Sequence, residues 1–122
     1  MFVQSQSWVN STNNKFAFNN ANQGTIVAFS SEFFLKNDSF YNNYSFLQSA
    51  NIIAEGSYVT INKCVFRNSV LFTSSEFNLG GFIYISYSIS TKISSTLFEK
   101  GKALQGGCLF LGIQAKVEIQ DS

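Results

Sequence analysis

Seven carboxylates carry most of the reactive chemistry in this sequence: Glu32, Asp38, Glu55, Glu76, Glu99, Glu118 and Asp121. Glycoside hydrolysis needs two such groups facing each other across a cleft, and calcium-assisted lyase chemistry needs clustered Asp ligands with a Lys or Arg base. Only two of the seven are Asp, and none of the seven recurs on a single outward ladder. Glu118 and Asp121 are close in sequence, but Ile119 between them is expected to point inward, which makes both ordinary solvent-facing charges. With no histidine and only two cysteines, Cys64 and Cys108, the common zinc frameworks are excluded. The residues predict no catalytic centre, no metal site and no cofactor.

Other function classes fall to charge and composition. A net charge of +1, with Arg67 as the one arginine and no lysine cluster, leaves no electrostatic footprint for nucleic acid or an anionic membrane. The opening “MFVQSQSWVN” has neither a basic region nor a continuous apolar stretch, so no signal peptide is visible in this stretch. No apolar run approaches the roughly 20 residues of a membrane helix. For the full-length protein an extracellular or cell-surface location is favoured, with any targeting signal outside this stretch. The 14 phenylalanines supply the apolar mass, and Asn, Ser and Gly supply corners, so many short strands are expected. The complete lack of proline suits a backbone whose donors are engaged in sheet ladders.

The elements that must position these residues repeat. Taking Phe98 as the start of a template that ends in Gly106-Gly107, copies begin at Phe16, Phe40 and Phe72. An aliphatic residue also stands five positions before a phenylalanine in “LKNDSF”, “INKCVF” and “ISSTLF”, at Leu35, Ile61 and Ile93, and Ile119 begins a fourth copy. These positions are 26, 32 and 26 residues apart, and the six extra residues fall between Phe66 and Gly80. Ile61 and Phe66 can both face inward only if the chain bends near Asn62-Lys63, and Lys36-Asn37 and Ser94-Ser95 are the matching bends. Phe40, Phe66 and Phe98 are then expected to stack, with Ile83 over Leu109. Val27 and Phe29 are expected to match Ile83 and Ile85. Gly106-Gly107 reads as a corner in which a β-branched residue at Gly107 would damage folding.

A unit of 24–32 residues made of short strands cannot bury its own apolar face, but stacked units can. The expected fold is therefore all-β, a right-handed parallel β-helix of about four coils, over residues 16–122, with residues 1–15 as an N-terminal edge or partial coil. Copies at 16–29 and 98–111, “FAFNNANQGTIVAF” and “FEKGKALQGGCLFL”, resemble the polymorphic outer-membrane protein repeat, marked by F-x-x-N and G-G-A-[ILV]. The resemblance extends over nearly the whole chain from about Phe16. Phe16–Asn19 and Phe40–Asn43 keep F-x-x-N, whereas Phe82 and Cys108 follow the glycine pairs where the family prefers alanine. It implies a pectin-lyase-like β-helix in a large surface or secreted protein used for adhesion or as a stalk.

The local candidate for binding is the insertion “SVLFTSSEFN” at 69–78, with Phe72, Glu76 and Phe77, extended by outward-facing Tyr84 and Tyr87. The competing reading has Phe72 and Phe77 packing on the neighbouring coil. Cys64 and Cys108 occupy different places in the repeat and are expected to remain unbridged. Sequons stand at Asn10, Asn37 and Asn43. The expected function is a non-enzymatic structural or adhesive module, a fragment of a larger surface or membrane-anchored protein, with carbohydrate or protein as partner. The alternative is a carbohydrate-active enzyme fragment or polysaccharide-binding module, and a truncated, non-functional reading frame is the third reading. An open apolar core at both ends predicts end-to-end self-association.

Overall fold

The structure, a computed structural model, describes residues 1–4, 7–46, 51–71, 80–103 and 105–122, with no helix among them. The first pass of the chain contains β1 (Phe2–Gln4), β2 (Trp8–Thr12), β3 (Lys15–Ala17) and β4 (Asn20–Ala21). The second contains β5 (Ile26–Phe29), β6 (Glu32–Lys36), β7 (Ser39–Tyr41) and β8 (Tyr44–Ser45). β9 (Ile52–Glu55), β10 (Tyr58–Asn62) and β11 (Val65–Leu71) follow, then β12 (Ile83–Ser86), β13 (Ser90–Ser94) and β14 (Leu97–Lys102). β15 (Leu109–Leu111) and β16 (Val117–Gln120) come last. Each of the first four passes contributes to all three sheets and the last to two, and every described strand pair is parallel.

The first sheet has the order β1-β5-β9-β12-β15 and the second β16-β13-β10-β6-β2. In the third, β3 and β4 lie beside β7 and β8, which pair with β11, and β14 pairs with the other side of β11. Strands two to seven residues long are marginal alone. Here each gains its partner from the preceding or following pass, and the apolar residues of the three sheets meet in one core.

Alternation decides which residues enter that core. In the second sheet Leu35, Ile61, Ile93 and Ile119 are register partners, as the spacing of the aliphatic residue predicts. In the third, Phe16, Phe40, Phe66 and Phe98 form one column, with successive ring centroids 4.7, 4.6 and 5.1 Å apart and ring planes within 13° of parallel. Burying each such ring contributes roughly 1.5–3 kcal/mol, and each aromatic pair adds about 0.5–1.5 kcal/mol. Phe66 is thus the residue of its pass in this aromatic column.

The first sheet corrects one expectation. Ile83 does lie over Leu109, but their partners are Ile52 and Ile26, and Ala54 and Ala28 match Ile85. Val27 and Phe29 are one residue out of that register, so they occupy the opposite side of the strand. The cause is corner length. Phe16 to Ile26 takes ten residues and Phe98 to Leu109 takes eleven, and a shift of one residue exchanges the two faces of a strand.

The bends are set by columns of left-handed residues. Asn13, Asn37, Lys63, Ser95 and Asp121 have φ of 49–60° at the turn between the second and third sheets. Lys63 is therefore the bend between Ile61 and Phe66. At the next corner Gly80 and Gly106 have φ of 69° and 60°, and a Cβ on Gly106 would run into the Leu109 carbonyl. Gly107 differs. Its φ is not positive, and the nearest atom to an added Cβ is the Gly101 carbonyl oxygen at 3.5 Å. The conformational demand falls on Gly106, which overturns the expectation for Gly107.

We expect Gly106→Val to abolish cooperative folding, because it combines a strained backbone worth about 1–3 kcal/mol with a steric clash. Gly107→Ala should change stability by less than about 1 kcal/mol. Urea unfolding followed by circular dichroism compares the two; equal losses would refute the assigned corner.

Candidate functional site

Polar corners hold the passes in register and use up several residues that had a chemical alternative. Asn14, Asp38, Cys64, Thr96 and Ser122 share one position. Asp38 Oδ1 accepts the Asn14 amide at 2.7 Å, Thr96 Oγ1 accepts the Cys64 amide at 3.4 Å, and Ser122 Oγ accepts the Thr96 amide at 3.1 Å. The Cys64 thiol itself donates to the Asn62 carbonyl at 3.4 Å. Asp38 is wholly buried, and its Oδ2 has no hydrogen-bond partner. It is a corner acceptor with no access to a substrate.

Burial pushes the Cys64 thiol up to about 11, and the neighbouring Asp38 carboxylate acts in the same direction. Cys108 belongs to a different column, in line with Phe82, and both thiols are free. Asn43 is equally committed. It accepts the Asn19 amide at 3.0 Å and donates to Asn51 Oδ1 at 2.6 Å, and it is fully buried. Its sequon is therefore closed, whereas Asn10 and Asn37 are exposed.

The other described acids are dispersed. Glu99 pairs with Arg67 at 2.9 Å across β14 and β11, with both side chains about 44% exposed. Such a pair contributes on the order of 0–1 kcal/mol. Glu118 lies opposite Lys92, and Glu32 opposite Trp8 and Tyr58. No two acids are register partners in any described strand pair, and no group of three metal-ligating side chains occurs among the described residues.

Of the predicted binding residues, Phe72, Glu76 and Phe77 lie outside the described residues. Tyr84 faces outward from β12 and stacks on Phe110, centroids 5.5 Å apart and planes at 3°. The same outward column holds Val27 and Ile53, which are 5% and 1% exposed, so this face is not free around β5 and β9. Tyr87 is exposed at a corner with φ of 48°. Tyr84 and Tyr87 are thus on a sheet face and at its corner, in different settings.

The outer face of the second sheet is open. Trp8, Glu32 and Tyr58 are consecutive register partners there, and the two aromatic residues are 67% and 48% exposed. An open cleft of about 500 Å³ runs beside them, bordered also by Gly56 and Ile89. This cluster was not singled out from the sequence. Its signal was available, because Glu32 and Tyr58 each stand three residues before the inward Leu35 and Ile61.

No family model, curated protein or solved structure matches this chain. Among the described residues no helix is long and apolar enough to cross a membrane.

The raised thiol gives a pH prediction. An unfolded thiol ionises near its ordinary 9.0 and the folded Cys64 near 11, so the unfolded state loses its proton first. The stability contributed by the neutral thiol is complete below 9 and falls as pH rises toward 11. Cys64→Thr, which reproduces the Thr96 acceptor, should flatten that part of the stability profile. Urea midpoints of the two proteins across this range would refute the assignment if they fell in parallel.

Proposed function

We propose that the chain is a stretch of right-handed parallel β-helix serving as a non-enzymatic, adhesive and structural module of a larger surface protein. Three parallel sheets visited in turn support the β-helix, because crossover connections between parallel strands are almost always right-handed. The F-x-x-N residues support a likeness to the polymorphic outer-membrane repeat: the phenylalanine forms the aromatic column, and Asn43 ties the following corner to Asn19 and Asn51.

The observation that carries the non-enzymatic reading is the chemistry of the outer faces. Among the described residues, aromatic side chains are exposed on the second sheet, while the acids are scattered singly, paired with a cation or buried. Such a surface can hold a ligand but offers no pair of carboxylates to cleave one. The test is to couple the chain to beads, incubate it with a panel of polysaccharides, and follow both retention and release of reducing or unsaturated ends. Retention without product is expected. Product that accumulates with time would replace this reading with the carbohydrate-active enzyme.

The terminal rungs support association. β1, β2 and β3 pair on one side only, as do β14, β15 and β16, and Leu111 and Ile119 are each 47% exposed. Sedimentation velocity should show concentration-dependent, end-to-end association of this chain, reduced by Ile119→Lys. A monomer unchanged by concentration would refute it.

A further inference from the structure

We infer that the cleft beside Trp8, Glu32 and Tyr58 binds a neutral, extended glycan lying across the strands of the second sheet. This rests on the adhesive reading above and names its ligand.

Three observations converge. The first is register: Trp8 pairs with Glu32 and Glu32 with Tyr58, so the two aromatic residues stand two rungs apart on one outward column. Rungs are about 4.8 Å apart, which separates the two platforms by roughly 9.6 Å. That distance is close to a disaccharide unit of an extended, equatorially linked glycan. A ring stacked on Trp8 therefore leaves its next-but-one neighbour over Tyr58.

The second is composition. Sugar rings present apolar C–H faces and polar edges, and they call for aromatic platforms with a few polar groups between them. Glu32 lies between the platforms as an acceptor for hydroxyl donors, and the exposed Ser30 stands at the cleft edge. The cleft volume of about 500 Å³ suits a short oligosaccharide segment.

The third is charge. The cleft residues include one carboxylate and no lysine or arginine. A polyuronate or sulfated chain would meet repulsion with no compensating cation, so the ligand is uncharged. The strand rows beside the column carry Lys36 and Lys92, outside the cleft.

Gly56 keeps the cleft open. It occupies a left-handed corner with φ of 60°, where an added Cβ would meet no atom nearer than Ser30 Oγ at 3.4 Å. Asparagine tolerates that backbone region, so Gly56→Asn fills the cleft while preserving the corner.

Trp8 is the one tryptophan of the chain, so its fluorescence reports on this site directly. The folded chain is titrated with cellohexaose and xylohexaose, with hexagalacturonate as the acidic counterpart. A saturable change in Trp8 emission is expected with a neutral oligosaccharide and none with the acidic one. Tyr58→Ala and Gly56→Asn should each weaken binding roughly tenfold, while Tyr58→Phe, which keeps the ring, and Tyr84→Ala, on another face, should not. Circular dichroism confirms that each variant is folded. Polysaccharide retention on beads without any Trp8 response would overturn the site while leaving the adhesive reading intact. A Trp8 response to a peptide or protein but to neither neutral oligosaccharide would overturn the glycan assignment, as would preference for hexagalacturonate.

Discussion

Hydrogen bonding between one pass and the next is the constraint from which the rest of the structure follows. A strand of three to five residues has little stability alone, and each strand here takes its partner from a position 24 to 32 residues away. Once those pairings are made, equivalent residues lie about 4.8 Å apart. Every inward column must then accept a side chain stacked directly on its own counterparts. Planar rings meet that condition face to face, which is how Phe16, Phe40, Phe66 and Phe98 are arranged. γ-Branched and β-branched aliphatics meet it in the Leu35–Ile61–Ile93 column.

The same constraint makes polar corners specific. A bend interrupts the strand ladder, and the amide freed there needs an acceptor if it is buried. Side-chain oxygens from the adjoining pass supply it at Asp38, Asn43, Ser57, Thr96 and Ser122. One corner changes its chemistry along the stack. Asn43 bonds to Asn51 in the second pass, but the corresponding residues one pass later are Ser69 and Phe82. The Phe82 ring lies 5.9 Å from Phe66 and 6.0 Å from Phe98, so an aromatic contact replaces the amide pair. In the fourth pass Gly101 takes the place of Ser69, and a Cβ there would strike Phe82. Side chain and backbone at this corner therefore change together.

How much of this was legible in the sequence depended on whether a residue faced its own copies. The aromatic and aliphatic columns were readable, because stacking demands similar residues at a fixed spacing, and the bends at Asn37, Lys63 and Ser95 followed by geometry. The first-sheet register was not. Gly24 aligns with Gly80 and Gly106 when counted from the preceding template phenylalanine, yet the corner before Ile26 is one residue shorter than the corner before Leu109, and glycine alone does not reveal corner length. The demand on Gly106 rather than Gly107 was hidden for a related reason, since adjacent glycines look alike until φ is known. The outward Trp8–Glu32–Tyr58 cluster was missed because an outer column need not repeat. Unlike residues there carry no periodic signal.

That difference between inward and outward positions bears on where function can reside. Stacking ties each core residue to the residues above and below it, so a change in one pass strains its neighbours. Outer columns are released from that coupling: the second sheet carries Trp8, Glu32, Tyr58 and Ser90 in one outward row while its inward rows remain largely aliphatic. The scaffold therefore supplies spacing and direction, and the outer residues supply the chemistry. Aromatic platforms separated by a whole number of rungs gain a distance set by the backbone ladder, which does not depend on loop flexibility. A ligand with its own regular repeat can match such a ruler at several points at once, and an irregular ligand cannot. This favours a repeating polymer over a compact ligand as the occupant of the second sheet.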